Sequence, residues 1–461
     1  MLGGQQNQNG VSEPVLRVGD RIRLTLESLA AGGEAVGRYQ GMAVFALWGC
    51  PGDEAEVEIT EVSKRFARGI VQEVTALSPD RIVAPCPHFG YCGGCQLQHI
   101  AYPAQLRHKR TIVRDALARI GGLPEVEIAD TWGMDEPWQY RNRAEYHGQL
   151  DEQGSFYLGF ARHHTHEVFP LQECRLQHPL SERVRRSVLD LMPRLAQGAE
   201  ERAGLLEVET LVSFSSQHGL ATLVCDGRPG FVTPLAERLM HEVEGLKGVL
   251  VARARGRLAL RRSPSEVVVG EAHLVERLGE ARYRISPDSF FQVNPSQAAR
   301  MVELVRKWAE VRPRDGVLDL YSGVGTFLLP LARIAHHAVG VEADEAALVE
   351  ARANLRRWRL TNVRLYEGKA ENVLPRLAQR GWRSDVVVLD PPRKGCGPIV
   401  CAALAKLNPR RILLVSCHPA TLARDLKSLA EHGYVVRRLQ PIDMFPQTWH
   451  VEAIAICERG Q

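Results

Sequence analysis

From about residue 285 onward, short apolar runs alternate with segments of helical period, and this alternation constrains the fold more than any other feature. GVLDLY, AVGVEAD, NVRLYEG, DVVVLD and RILLVSC read as strands, with LLPLARIA, AALVEARANLRRW and TLARDLKSLAEHG as helices between or after them. Strand–helix alternation implies a parallel sheet with helices on both faces. Ligands of such sheets bind outside the carboxyl ends of the strands. Residues 285–461 are therefore expected to form an α/β, Rossmann-like catalytic domain, closed by the strand WHVEAIAIC.

The first half has a different texture. Residues 14–76 alternate apolar and polar positions, with Gly-rich breaks at Gly32–Gly33 and near Gly49–Gly52, as a small β-barrel would. Residues 77–100 are rich in Pro and Cys, as a linker around a metal site would be, and residues 101–120 have a helical period that stops at Gly121–Gly122. Strand-like runs dominate from about 138 to 280. The expected division is a flexible tail over 1–13, a barrel over 14–76, a central, mainly β domain over 77–284 and the catalytic domain over 285–461.

Composition narrows the class. With 45% hydrophobic and 24% charged residues the chain reads as a soluble globular protein. It has no apolar run of the roughly 18–20 residues that cross a bilayer. The opening MLGGQQNQNG lacks the apolar core of a secretory signal, so the cytoplasm is the expected compartment. A net charge of +4 permits a polyanionic partner, and local basic clusters favour one: KRFAR at 64–68, RHKR at 107–110, YRNR at 140–143 and RVRR at 183–186.

The candidate site residues fall at strand ends. In DLYSGVGTF, Gly323 and Gly325 allow a tight strand-to-helix turn and a close approach of backbone to ligand. The loop stops short of GxGxxG because Leu328 holds the last position, which counts against a dinucleotide. Glu342, at the end of the next strand, suits the hydroxyls of a ribose. Together they point to S-adenosylmethionine. Asp390 opens DPPRKG, where two prolines stiffen the loop. The following strand ends at Cys417, with Pro419 just beyond, and Glu452 is a carboxylate in an otherwise apolar strand, expensive to bury unless it is paired or functional. A thiolate, a carboxylate and a methyl donor along one crevice suit attack at carbon-6 of uracil, which turns carbon-5 into a nucleophile, followed by removal of the carbon-5 proton.

In order and spacing, FFQVN at Phe290–Asn294, DLYSGVGTF, GVEAD, DPPRKG, SCHPATLARD and HVEAIA resemble the RNA uridine-5 methyltransferases of the TrmA/RlmD family, and the barrel resembles the TRAM domain, an OB-like RNA-binding fold. The resemblance implies a class I S-adenosylmethionine-dependent domain. It makes Cys417 the nucleophile and Glu452 the general base, and it assigns Gln292, Tyr321, Glu342 and Asp390 to the cofactor or uracil pocket. Asp390 and Gln292 are expected to read a base flipped out of its stack. The chain departs from the family at His418, Thr326 and Lys369, where Asn, Asn or a similar residue, and a nearby acid are usual.

Cys86, Cys92 and Cys95 stand in a C-x(5)-C-x(2)-C pattern, with Cys174 far downstream. Ligand chemistry leaves iron–sulfur and tetrahedral zinc both open. The resemblance selects between them: CxxxGxCGGCxxQH plus a later Cys is the 4Fe–4S signature of the RlmD-like branch. The remaining cysteines, Cys50, Cys225, Cys396, Cys401 and Cys457, are expected to pack. The expected partner is RNA rather than DNA or membrane, most of all 23S ribosomal RNA, bound by a monomer; transfer RNA, or another base atom, is the alternative.

Overall fold

In the computed structural model, which describes residues 16–254 and 262–460, the strand Arg21–Leu29 buries Ile22, Leu24, Leu26 and Leu29 and exposes Arg21, Arg23 and Thr25. That period of two is what a strand with one wet face requires. It closes into a barrel with Ala35–Tyr39, Met42–Leu47, Phe66–Ala76 and Glu54–Val62, around a core that includes Leu26, Val44, Val57 and Ile59. The barrel leans on the rest of the chain through its Gly32–Gly33 turn. Gly33 has φ +86°, and a Cβ there would come within 2.9 Å of Gln96 and 3.5 Å of Trp449. The tail expected over 1–13 lies outside the described residues.

A seven-stranded sheet forms the middle of the molecule. Its central strands, Leu205–Ser213 and His218–Asp226, are apolar and buried almost throughout because both faces are covered. The helices Pro179–Leu195 and Val232–Glu242 pack on one face. On the other, Leu211, Leu220 and Leu250 join Tyr283, Phe291 and Met301 in one apolar core shared with the C-terminal region.

The C-terminal sheet has eight strands in the order Val363–Glu367, His337–Glu342, Gly316–Leu320, Val386–Leu389, Arg411–Ser416, Glu452–Arg459, Tyr434–Ile442 and Glu127–Ile128. The first five are mutually parallel, and Glu452–Arg459 runs antiparallel between Arg411–Ser416 and Tyr434–Ile442. The expected doubly wound architecture is present. Glu127–Ile128 and the helix Tyr102–Ala116 also belong to this layer, since Val113 and Leu117 pack with Leu422, Ala423 and Leu426. Among the described residues no helix is long and apolar enough to cross a membrane.

The basic clusters divide differently from the sequence expectation. Lys109 is fully buried, with Nζ 2.5 Å from Asp443 and 3.1 Å from the Phe445 carbonyl. Arg185 is 2% exposed and donates to the carbonyls of Leu171 and Gln172 as well as to Glu182. Arg143 donates to the carbonyls of Ser286 and Ser289. These cations satisfy buried acceptors and are not offered to a polyanion. A buried charge is tolerated only with such partners.

Candidate active site

A cavity of about 590 Å³ opens where the C-terminal strands end. Gln292, Tyr321, Glu342, Asp390, Cys417 and Glu452 all line it. The sheet register explains why two of them meet. Ser416 pairs with Ala453 across the antiparallel edge, so the next position outward sets Cys417 opposite Glu452. Leu389 pairs with Leu414 in the neighbouring strand, which puts Asp390 on the same rim.

The Gly-rich loop is held by an acid. Tyr321, Gly323 and Gly325 take φ of +62°, +53° and +94°, the left-handed region that only glycine enters without cost. Glu342 fixes this turn: one carboxylate oxygen accepts from Gly323 N at 2.8 Å, the other from Ala343 N at 2.6 Å and Asp344 N at 2.8 Å. Its first role in this structure is thus to shape the loop that a nucleoside would meet. Asp319, at the end of the preceding strand, is fully buried with neither carboxylate oxygen bonded to a partner. Burial, then the charges of Asp390 and Glu342, push its acid well above the usual carboxyl range.

The reactive end is crowded with acids. Burial raises Asp390 to about 7, and burial followed by the charge of Asp390 raises Glu452 well above an ordinary carboxyl. Gln292 Nε2 donates to Asp390 at 3.3 Å. Burial, then Glu452 and Asp390, push the Cys417 thiol up to about 11, while the Arg393 guanidinium pulls it back. Arg393 also meets His450 Nε2 at 3.2 Å, and both line the cavity. Sequence alone singles out neither, although Arg393 lies in DPPRKG and His450 in WHVEAIAIC. A cation beside a candidate thiolate was the available signal.

The departures from the family find partial answers. His418 caps the helix Pro419–Glu431, its Nδ1 accepting from Thr421 N at 3.3 Å. An Asn side chain at that position would offer the same acceptor. Thr326 and Lys369 line the cofactor side of the cavity.

Cys86, Cys92, Cys95 and Cys174 come together in a second cavity, of about 560 Å³, although Cys174 is distant in sequence. Phe290 lines both cavities. Elsewhere, Cys396 and Cys401 lie with their sulfurs 3.7 Å apart, beside Asp425. Asp425 already accepts from Cys396 N and Gly397 N and pairs with Arg424, so this trio closes the loop after DPPRKG with its charge satisfied.

Sheet order and cavity together define the class, a doubly wound α/β domain with its site outside the carboxyl ends of the strands. Comparison with known proteins narrows it. Residues 101–459 match the model of the tRNA (uracil-5-)-methyltransferase family, and residues 15–71 match the TRAM domain. An uncharacterized RNA methyltransferase of Halalkalibacterium halodurans is 36% identical over 446 residues, covering 95% of this chain and 97% of its own. A second, from Caldanaerobacter subterraneus subsp. tengcongensis, is 35% identical over 451 residues, covering 96% and 99%. Among solved structures, the Pyrococcus abyssi tRNA (uracil-54, C5)-methyltransferase in complex with S-adenosyl-L-homocysteine superposes with a TM-score of 0.73 at 25% identity, over 94% of this chain and 99% of that one. The chain belongs to the tRNA (uracil-5-)-methyltransferase family and is an RNA methyltransferase with an N-terminal TRAM domain.

Proposed function

We propose that the protein methylates carbon-5 of one uridine in a structured RNA, with Cys417 as nucleophile and Glu452 as base. One observation carries the reading: the register that sets Cys417 opposite Glu452, at the mouth of a cavity whose other end is the Gly-rich loop. The Cys417 thiolate adds to carbon-6 and forms a C–S bond, and the electron pair of the 5,6 double bond moves onto carbon-5 and the 4-oxygen. Carbon-5 takes the methyl group from the sulfonium, and S-adenosylhomocysteine leaves. Glu452 removes the carbon-5 proton, the double bond re-forms, and the thiolate is expelled. Gln292 and Asp390, bonded to each other, present donor and acceptor groups to the edge of the flipped base.

The second cavity suits a 4Fe–4S cluster on Cys86, Cys92, Cys95 and Cys174. Donors already face the sulfurs: Gly94 N lies 3.4 Å from Cys92 Sγ, the amides of Leu176 and Gln177 address Cys174, and the Gln98 side chain addresses Cys95. Such a cluster would supply four metal–sulfur bonds joining residues 86–95 to Cys174.

We take 23S ribosomal RNA as the target, on the barrel and the cysteine set together. Transfer RNA is the second reading, because the solved relative that matches nearly the whole chain acts on tRNA. RNA carrying 5-fluorouridine tests the chemistry: the wild-type protein should form a denaturant-stable adduct that Cys417→Ala abolishes, and normal methylation by that variant would sink the mechanism. Mass-spectrometric mapping of 5-methyluridine in ribosomal and transfer RNA, with and without the gene, decides the target.

A further inference from the structure

Glu452 follows directly on the loop 443–451, and that loop has an unusual backbone. Gln447 takes φ +70°, a conformation that a residue with a side chain adopts only when its surroundings impose it. The surroundings here are specific. Gln105 and Gln447 bond reciprocally: Gln105 Nε2 donates to Gln447 Oε1 at 3.0 Å, and Gln447 N donates to Gln105 Oε1 at 3.2 Å. Gln105 Nε2 also donates to the carbonyls of Leu97 and Ile100. The Gln447 carbonyl accepts from Gln96 N at 3.1 Å and Leu97 N at 3.0 Å, immediately after Cys95. One residue earlier, the Pro446 carbonyl accepts from Tyr140 Oη at 3.0 Å. Gln105 and Tyr140 are each 1% exposed, so neither hydroxyl nor amide has water as an alternative partner.

The turn leads straight into the reactive end. Phe445 and His450 line the catalytic cavity on either side of it, and Glu452 opens the next strand. The turn between Ile442 and Glu452 is held in a left-handed backbone form by buried polar groups 306 and 342 positions earlier in the chain. We propose that Gln105 and Tyr140 are positioning residues for the methyl transfer: they hold the Pro446–Gln447 turn so that Glu452 faces carbon-5 of the uracil bound to Cys417. The proposal rests on the assignment of Glu452 as base.

The reaction offers a readout that a merely structural role would not move. Misplacing the base leaves thiolate attack and methyl transfer intact and stalls the intermediate that still carries the carbon-5 proton. With unmodified uridine RNA, Tyr140→Phe and Gln105→Met should each lower kcat about tenfold, leave the KM for RNA within about twofold, and accumulate a covalent protein–RNA species, as Glu452→Gln should. Tyr140→Phe keeps the ring, so its effect reports the lost hydroxyl. If Glu452→Gln stalls but both variants turn over like the wild type, or lose only thermal stability, the proposal fails and the base assignment stands. If Glu452→Gln turns over normally, the base assignment fails and takes the proposal with it.

Discussion

The two cavities are of similar size and share Phe290, yet they treat cysteine in opposite ways. In the second cavity four thiols face one another, and burial pushes Cys174 to about 12 and Cys95 higher still. Backbone amides, the Gln98 amide and the other thiols address the sulfurs, and Arg141, Arg162, Arg175 and Glu173 also line this cavity. In the catalytic cavity one thiol stands among carboxyl groups, and burial and those acids hold it near 11, with Arg393 as the counterweight. A thiol made reactive needs a proton acceptor and a nearby cation. Thiols meant to bind metal need one another and a shell of amide donors. On the roles proposed above, the surroundings and not the residue type separate the two sets of cysteines.

The largest expected effect tests the separation directly. Cys417→Ala should cut turnover by roughly 10⁴-fold or more and abolish the 5-fluorouridine adduct. It should leave any iron content and absorbance near 400 nm unchanged. The reverse experiment comes next. Cys95→Ser should remove iron and lower Tm by more than about 5 °C, since metal–ligand bonding that closes a loop contributes to folding. S-adenosylmethionine binding by calorimetry should stay within a few-fold. Loss of cofactor binding in Cys95→Ser, or of iron in Cys417→Ala, would join the two cavities into one functional unit.

A smaller effect probes the counterweight. Because the thiol is raised, the thiolate is scarce at neutral pH, and the rate of adduct formation should climb as pH rises toward 10. Arg393→Gln removes the favourable charge and should slow adduct formation about tenfold at pH 7.5, one pKa unit being tenfold in thiolate fraction. With the parent thiol near 11, both thiolate fractions climb about tenfold per pH unit below that value, so the deficit should stay close to tenfold up to about pH 10. A raised KM for RNA with no deficit in adduct formation at saturating RNA would assign Arg393 to RNA binding instead.

Much of this arrangement was legible because it is local. Apolar runs of four to six residues with an acid or thiol at the end gave Glu342, Asp390 and Cys417 their places, and the cavity gathers all of them. The C-terminal hairpin needed only the run AIAIC to set Glu452 on the rim. What escaped the sequence depends on distant partners. Lys109 and Arg185 read as surface cations because nothing within ten residues reveals Asp443 or the Leu171 carbonyl. The two-residue strand Glu127–Ile128 is too short to carry a period, and exists because Leu439 offers it an edge. The strained Gln447 is invisible for the same reason: its conformation is imposed by Gln105, 342 positions away.

The smallest effect concerns His418, where the chain departs from its family. If the helix cap is the whole contribution of that side chain, His418→Asn should leave methyl transfer within about twofold and Tm at pH 7.5 within about 2 °C, since either side chain accepts from Thr421 N. Acid separates them. Burial, with Arg393 and Arg424 nearby, lowers the His418 pKa, so the folded ring resists protonation while the unfolded chain takes up a proton below about 6.5. A group of this kind loses stability as pH falls through that range. The parent should therefore lose more Tm than the Asn variant between pH 7.5 and 5.5. Equal losses would show that His418 does not act as an acceptor, and a large drop in methyl transfer at pH 7.5 would place the ring in the reaction itself.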